Sequence, residues 1–390
     1  MKRTTRGLLV LTALSISLSA QAQQSSAEKA QGMIDQGLAY LKKQQNADGS
    51  FGPAQMPPAV TALILRGMVQ DKNHPYSTPE VQNGYHFLLA QQKPDGGIYV
   101  DMLENYNTAI SISALAAAKD QPDVKAAMDK AVEYMKGTQW RAGMKGPKGQ
   151  DLDDPKFVAW QGGFSYNPKH DRPDLSNVHF SIQALYDAGL KPDDAAFKEA
   201  QKFITRCQNR SESNDQSWSG NDGGFVYSPA NGGDSEAESY TTPDGQTRWR
   251  SYGTMTYAGL KSMIYAGIAK TDPRVTAAVD WCRANWTLDE NPGLRLNDPK
   301  QAQDGMYYYY HVMAKALHAY DEPVITDSAG KSHDWRVELI DKLASSQKPD
   351  GSWTGGQRWM ESLPVLTTSY VILTLEETQK DLAKNPPQTK

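Results

Sequence analysis

The sequence predicts an all-α protein that forms a single (α/α)6 toroid, with six inner helices around a central cavity and six outer helices around them. Helical patterns of two kinds alternate strictly along the chain: the outer kind is amphipathic and charged, and the inner kind is apolar nearly all round. A short motif also recurs where outer helices end, as in repeat proteins. The first and last inner patterns are as apolar as the middle ones. This favours a closed ring, because an open solenoid needs polar capping repeats.

The recurring motif has the frame Gln-x-x-Asp-Gly-x-(aromatic or aliphatic). Its four copies are Gln45–Phe51, Gln92–Ile98, Gln301–Tyr307 and Gln347–Trp353. Asp-Gly is a turn signal because glycine accepts the left-handed backbone of a tight reversal. The side chain after the turn can fold back onto the helix just completed. Two shorter echoes, Gly162–Phe164 and Gly223–Phe225, lack a glutamine at the same distance.

The six helix pairs follow in order along the chain. The outer helices are predicted at Glu28–Gln45, Thr78–Gln92, Asp123–Gln139, Asp193–Gln208, Asp272–Trp286 and Asp334–Gln347. The inner helices are predicted at Pro58–Val69, Asn107–Ala118, Ser176–Ala188, Tyr252–Ile268, Tyr307–Tyr320 and Leu366–Glu377. The toroid is thus expected to occupy residues 23–378, followed by a flexible C-terminal tail at 379–390.

The connectors indicate which rim carries the site. The links from outer to inner helices are long, and the longest, 140–175 and 209–251, are rich in Gly, Trp and Tyr. Long ordered loops are uncommon unless they are functional. All six reach the N-termini of the inner helices, so we expect Gly- and aromatic-rich loops on one rim and the mouth of the site there.

The N-terminus is typical of a secretory signal peptide at residues 1–22. A basic segment, Met1–Arg6, precedes an apolar run, Gly7–Leu18, and a small-x-small cleavage site, Ala20–Ala22. The run is too short to span a membrane, and no other stretch approaches the required apolar length. We expect a periplasmic or secreted protein without a transmembrane segment; peripheral membrane contact stays open.

Charge and cysteine content narrow the classes of partner and fold. The net charge of −4 becomes −7 once Lys2, Arg3 and Arg6 are removed, which argues against nucleic acid as a partner. Cys207 and Cys282 both fall near the ends of outer helices. An oxidising compartment allows a disulfide between them, and two buried thiols are the alternative.

The Gln-x-x-x-Gly-x-(Trp/Phe) copies resemble the repeats of squalene–hopene and other triterpene cyclases. The alternation of helices is similar to that of those cyclases and of protein prenyltransferase β subunits. The resemblance covers nearly all of the mature chain, from Glu28 to about Glu377. It implies a closed toroid with an apolar, isoprenoid-type ligand in its cavity. Class II cyclases use two toroids, whereas this chain has the length for one.

The cyclase resemblance directs attention to the start of the third inner helix. The family's acid lies in an Asp-x-Asp-Asp motif there. Asp151–Asp154 matches those letters, but it lies in a connector well before the helix and is expected to be a solvated acidic loop. The position that aligns by repeat is Asp174–Asn177, where Ser176 replaces the proton-donating Asp. Asp174 is therefore a candidate catalytic residue, and Asn177 is a candidate ligand contact.

The prenyltransferase resemblance gives a second partial match. Tyr310-His311 looks like the segment that supplies that family's zinc histidine. Zinc would also need an Asp and a thiolate near the start of the fourth inner helix, where Trp249–Tyr252 stands instead. We predict no metal and no other cofactor. His311 is kept as the second candidate catalytic residue.

The remaining candidates are ligand-binding residues at the mouth. Arg248 and Arg250 precede the N-terminus of an inner helix, where arginines and free N–H groups can bind an anion; the alternative is a rim pair bonded to Glu236 or Glu238. Four consecutive tyrosines on one helix face all directions, so one or two must point into the cavity. The ligand-binding candidates are Asn177, Arg248, Arg250, Tyr252, Tyr307, Tyr310 and Trp359. Further aromatic residues predicted at the mouth are Tyr106, Trp160, Tyr166 and Tyr227.

Three functions are compatible with the sequence. The first is an exported cyclase- or prenyltransferase-like protein that binds an apolar small molecule or lipid, with both catalytic signatures altered. The second is a carbohydrate-active enzyme or sugar binder, with two carboxylates facing each other across the rim. The pairs considered for it join Asp153 or Asp174 to Asp222 or Glu361. The third is a non-catalytic scaffold whose repeat surface binds a protein.

Overall fold

A computed structural model describes residues 26–168, 171–294 and 298–386, so the predicted signal peptide lies outside the described residues. In chain order the helices of this part are α1 (26–42), α2 (Pro58–Gln70), α3 (Pro79–Ala90), α4 (Glu104–Ala117), α5 (Pro122–Thr138), α6 (Leu175–Ala188), α7 (Ala195–Cys207), α8 (Gly253–Tyr265), α9 (Pro273–Ala284), α10 (Met306–Tyr320), α11 (Trp335–Ala344) and α12 (Pro364–Lys384). Odd-numbered helices are outer and even-numbered helices are inner.

The inner helices form a closed ring. Each even-numbered helix contacts the next, and α12 contacts α2. Burial follows the predicted division: α4 is buried without interruption from Asn107 to Leu115, whereas α7 buries one face, including Phe197 and Phe203. The predicted (α/α)6 toroid is confirmed.

The motif glutamines connect neighbouring repeats. Gln45 Nε2 donates to the carbonyl oxygen of Gly49 in its own turn, at 3.2 Å, and to that of Glu80 in α3, at 2.8 Å. Gln92 spans its own turn and α5 in the same way. Gln347 donates to its own turn and to Met33 in α1, so the last repeat is joined to the first.

The two echoes are full copies of this arrangement, contrary to the expectation from sequence. Gln139 Nε2 donates to the carbonyl oxygens of Gly162 and Ala196, and Gln208 makes the equivalent pair of bonds to Gly223 and α9. A long insertion separates glutamine from glycine in both. The copy at Gln301, in contrast, matches only in letters, because α9 has already ended at Ala284.

A second contact repeats beside four of the turns. The residue two positions after the turn glycine donates its backbone N–H to a threonine hydroxyl on the following inner helix. The pairs are Phe51 with Thr61, Ile98 with Thr108, Phe225 with Thr256 and Trp353 with Thr368, at 2.9 to 3.1 Å. These bonds satisfy an amide that packing against the inner helix would otherwise leave buried and unpaired.

Two short β-hairpins lie in connectors between helices. Strands β1 (Ser239–Thr241) and β2 (Thr247–Trp249) pair in the connector before α8, and β3 (Val324–Thr326) and β4 (Ser332–Asp334) pair between α10 and α11.

The C-terminal boundary differs from the prediction, because α12 continues to Lys384 instead of ending before residue 379. Asp381 is fully buried and accepts hydrogen bonds from Arg336 and His318, and Leu382 is also buried. These contacts hold 379–384 in the helix. Cys207 and Cys282 are buried free thiols, so of the two arrangements left open the structure has the unbridged one.

Candidate functional site

A cavity of about 270 Å³ lies at the N-terminal ends of the inner helices, on the rim that carries the long connectors. We call it the central cavity. Its aromatic lining residues are Tyr106, Tyr166, Phe180, Tyr227, Tyr252, Tyr308, Trp359 and Tyr370. Leu103, Met255, Met360 and Leu366 add aliphatic surface. Such walls suit an apolar or cationic ligand, because π faces attract both.

The mouth of the central cavity is braced and strained. Trp359 and Met360 adopt positive φ angles of 53° and 63°, which non-glycine residues rarely do. The Trp359 ring lies on Gly305, where a Cβ would come within 2.3 Å of a ring carbon. Arg358 forms ion pairs with Glu236, which also lines the cavity, and with Asp304 at 3.3 Å. Three connectors, those before α8, α10 and α12, are thereby joined beside the opening.

Asp174 lines a neighbouring cavity of about 290 Å³, the rim pocket, together with Trp160 and Arg172. Tyr166 and Tyr227 line both the rim pocket and the central cavity. These two tyrosines therefore form the partition between Asp174 and the central cavity.

Asp174 caps α6 while almost fully buried. Its Oδ1 accepts from the Asn177 backbone N–H and its Oδ2 from the Asn177 side-chain amide, both at 2.8 Å. Burial raises the pKa of Asp174 to about 7, although the Asn177 bonds oppose that change. The carboxyl group can thus hold a proton near neutral pH, and Tyr227 lies close to it in the rim pocket.

This raised pKa predicts that the stability of the wild-type protein depends on pH in a way that the Asp174→Asn variant does not share. Because the folded state binds the proton more tightly than the unfolded state, the contribution of Asp174 to stability falls as pH rises from about 4 to about 7. That loss, on the order of a few kcal/mol, should be absent in the variant. Asn177 Oδ1 has no hydrogen-bond partner among the described residues, so its amide can rotate to accept from the new side chain. Urea unfolding of both proteins at pH 4.5, 6 and 7.5 measures this difference in stability. If the free energies of unfolding of the two proteins change in parallel with pH, the raised pKa of Asp174 is contradicted.

Ser176, which the cyclase resemblance aligns with that family's acid, lines the central cavity. Tyr166 and Tyr308, which lie beside its hydroxyl, line the same cavity. Tyr308 also contacts His179 Nε2. A chain of polar groups therefore runs down one wall of the cavity toward its floor.

His311 lies in that floor, apart from Asp174. It lines a small cavity of about 20 Å³ with Phe180, Lys261 and Lys315. Burial first and the positive charge of Lys315 second hold the pKa of His311 well below its ordinary value. The two candidate catalytic residues therefore line different cavities, and the structure does not bring them together.

The floor also holds ionisable groups that the sequence analysis missed. Lys315 Nζ is 2.7 Å from Glu377 Oε1, and Arg66 is 2.8 Å from Asp187. Lys261 Nζ lies 2.9 Å from His179 Nδ1. The sequence does contain a signal that could have identified the buried cations: each is a single basic residue within an otherwise largely apolar inner helix.

Arg248 and Arg250 do not form the predicted anion site. Arg248 donates to the carbonyl oxygens of Ser217 and Ser219 at 2.6 Å, and Arg250 donates to Ser239 and stacks on Tyr240. Neither guanidinium lines the central cavity. Both arginines instead brace the connector before α8, because its backbone turns leave carbonyl groups that need donors.

Of the four consecutive tyrosines, Tyr308 is the one that lines the central cavity. Tyr310 donates to the carbonyl oxygen of Leu288 at 2.6 Å, and Tyr307 packs edge-on against Tyr310. The choice of Tyr307 and Tyr310 as ligand contacts is therefore corrected to Tyr308.

The other aromatic candidates lie near the cavities. The central cavity is lined by five of the aromatic residues that the sequence predicted at the mouth: Tyr106, Tyr166, Tyr227, Tyr252 and Trp359. Trp160, expected at the mouth, lines the rim pocket instead.

The carboxylates considered for a facing pair each serve their own connector or helix end. Asp153 accepts from the Gly143 backbone N–H, and Asp222 accepts from the Ser251 hydroxyl. Glu361 is fully buried and accepts from the Tyr308 backbone N–H at 2.8 Å, which caps α10; burial raises its pKa to about 7. In the part of the chain that the structure describes, no group of His, Cys, Asp and Glu could hold a metal ion, and no helix could span a membrane.

Fold and site together define an (α/α)6 toroid with an aromatic-lined central cavity. Solved structures of two kinds share this fold. A variant of the type II terpene cyclase MstE from Scytonema, in complex with geranylgeranyl dihydroxybenzoate, matches with a TM-score of 0.53 and 14% identity over 92% of this chain and 99% of that one. The GH76A α-1,6-mannanase from Salegentibacter matches with a TM-score of 0.57 and 8% identity over 91% and 99%.

At these identities the likeness extends to the fold alone. No protein-family model matches the chain, and no curated protein matches it by sequence. The resemblance to terpenoid cyclases therefore holds for the architecture.

Proposed function

We propose that this protein is exported and binds a compact apolar molecule of the isoprenoid type in its central cavity. The observation that carries the proposal is the lining: eight aromatic side chains and four aliphatic ones line one cavity that opens at the rim. Its volume of about 270 Å³ lies just below the range of small-molecule pockets, roughly 300 to 1,000 Å³. The bound geranylgeranyl ligand of the terpene cyclase with the same fold supports an isoprenoid chemistry.

Binding, rather than cyclisation by the acid of the related families, is the activity that the wall supports. Ser176 occupies the wall where that acid would stand, and Tyr166 and Tyr227 separate Asp174 from the central cavity. The carboxyl group that lines the cavity, Glu236, is ion-paired with Arg358. Export rests on the basic and apolar N-terminal pattern.

A displacement titration tests the binding proposal. The purified protein should enhance the fluorescence of the neutral apolar probe N-phenyl-1-naphthylamine, and farnesol should displace it. Leu366→Trp, which fills the cavity, should weaken probe binding at least tenfold, because the new ring takes the space of the ligand. Val324→Trp is the matched control, since Val324 is exposed on the hairpin between α10 and α11 and should leave affinity unchanged.

Two results would contradict the proposal. One is a folded wild-type protein that neither binds the probe nor responds to farnesol. The other is equal affinity in folded Leu366→Trp and wild type, which would place the probe outside the central cavity.

The rim pocket favours a second candidate function, sugar binding. It is open, and it is lined by the polar side chains of Asp171, Arg172 and Asn231, which suit hydrogen bonding to a sugar. An inactive variant of the mannanase with the same fold is described in complex with α-1,6-mannotriose. Calorimetric titration with that trisaccharide, repeated with Asp171→Ala, tests sugar binding; no heat in the wild type would remove this candidate.

A further inference from the structure

Lys261 differs from the other buried cations of the cavity floor. Lys315 and Arg66 each have a carboxylate partner at 2.7 to 2.8 Å. Lys261 is 1% exposed, yet among the described residues no carboxylate lies within ion-pair distance of its Nζ. A buried ammonium without a counter-ion is strongly disfavoured, so the amine is expected to be uncharged.

The contact that Lys261 does make fits an uncharged amine. Its Nζ lies 2.9 Å from His179 Nδ1, and His179 Nε2 contacts the Tyr308 hydroxyl. His179 is itself fully buried, and burial holds its pKa well below the ordinary value, so the ring is uncharged and one of its two nitrogens is an acceptor. In the tautomer that carries its proton on Nε2, Nδ1 accepts from the amine, which uses one N–H of Lys261 and leaves its lone pair free.

The charged groups around Lys261 do not restore its proton. Burial lowers the pKa of Lys261 well below its ordinary value; among the charges, Lys315 has the largest effect and lowers that pKa further, Asp187 and Glu377 oppose it, and Arg66 adds to it. A desolvated lysine beside other cations is the usual setting of a nucleophilic amine. The binding of an apolar ligand in the central cavity does not itself require this amine.

Lys261 is also placed at the inner end of the proposed ligand site. Phe180 lines both the central cavity and the floor cavity that contains Lys261. One aromatic ring therefore separates the amine from the end of a ligand in the central cavity. The floor cavity of about 20 Å³ has room for about one water molecule.

We propose that Lys261 forms an imine with an aldehyde or ketone at the inner end of an apolar ligand in the central cavity. This inference rests on the proposed function, because the ligand must occupy that cavity. It narrows the ligand class to apolar carbonyl compounds, such as isoprenoid aldehydes.

The step balances with groups that are present. The Phe180 ring, which separates the two cavities, first turns aside. The lone pair of Nζ then attacks the carbonyl carbon, and the C=O π electrons move to oxygen. His179 Nδ1 relays protons from nitrogen to that oxygen, the C–O bond breaks, and the oxygen leaves as water. The nitrogen loses two hydrogens, the water carries both, and a C=N bond remains. No oxidant or reductant is required.

Reductive trapping tests the proposal on the intact protein. The protein is incubated with farnesal and sodium borohydride, and the adduct is mapped by peptide mass spectrometry. Hydride reduction of the imine fixes an addition equal to the aldehyde less one oxygen atom. We expect this mass on Lys261. Lys315 is the internal control, because it is equally buried in the same floor but paired with Glu377.

Two variants and one competing ligand test whether the adduct forms at Lys261 from a ligand in the central cavity. Phe180→Ala removes the separating ring and should speed trapping at least severalfold, whereas Lys261→Met should abolish it. If Lys261→Met does not fold, the adduct position in the wild-type protein still decides. Farnesol, which has no carbonyl group, should compete with farnesal without giving an adduct.

The outcomes separate this inference from the proposed function. Probe binding without an adduct on Lys261, or with adducts only on exposed lysines, would overturn the imine and leave the binding proposal intact. Absence of both probe binding and trapping would overturn the binding proposal itself. Equal labelling of Lys261 and Lys315 would contradict the special role of Lys261.

Discussion

Gly162→Ala should lower the free energy of unfolding by about 3 to 5 kcal/mol, among the largest effects of a single methyl group in this protein. Gly162 has a φ of +87°, and a Cβ there would lie 1.9 Å from the carbonyl oxygen of Glu199 in α7. That oxygen belongs to a helix backbone and cannot move without breaking helical hydrogen bonds. The strained φ adds about 1 to 2 kcal/mol for alanine. Urea unfolding at fixed pH measures the loss.

Gly189→Ala is the matched control for this prediction. Gly189 ends α6 with a φ of +96°, but no atom of the described part of the chain lies within 4 Å of its Cβ position. The control should therefore lose only the backbone term, about 1 to 2 kcal/mol. If both variants lose the same free energy, the close approach of the turn to α7 does not contribute.

Lys315→Met should cost about 3 kcal/mol, because it leaves the buried carboxylate of Glu377 without its nearest cation. Burial alone would raise the pKa of Glu377, but Lys315 and Lys380 outweigh it and hold that pKa below the ordinary value. The wild-type contribution is thus lost as pH falls. In the variant, burial is less opposed, so stability should decline less on acidification. Urea unfolding at pH 4 and pH 7 measures both effects.

Two further variants serve as controls for the buried pair. Lys380→Met removes the other cation near Glu377, at 3.2 Å, but its side chain is 43% exposed, so the loss should stay below about 1 kcal/mol. The double variant Lys315→Met, Glu377→Gln should recover part of the stability, since no buried charge is left unpaired. A loss in Lys380→Met as large as in Lys315→Met would argue that burial does not set the strength of these pairs.

The fold was predictable because the signals for it are local. A helix that is buried on all sides is apolar on all sides, and this separates the inner helices from the outer ones without knowledge of their neighbours. The echoes at Gly162 and Gly223 were harder, because insertions separate each glycine from Gln139 or Gln208, and only the folded chain brings them together.

The site was less predictable because it depends on rotation and on loop paths. Which tyrosine of α10 faces the cavity is set by how that helix packs in the ring, and the structure selects Tyr308 over its neighbours. Arg248 and Arg250 find their acceptors in a connector whose course no local pattern specifies. Lys261, in contrast, stood out in the sequence as a charge in an apolar helix, and it could have been singled out.

Closure of the ring has a consequence for when the protein can become whole. The first of the described helices, α1, contacts the last repeat: Gln347 donates to Met33, and Gln379 donates to Ala27. A circular permutant that began at a different repeat would have the same pairs of neighbouring helices. In the natural order, the contacts between α1 and the last repeat form only after the final described helix has been synthesised.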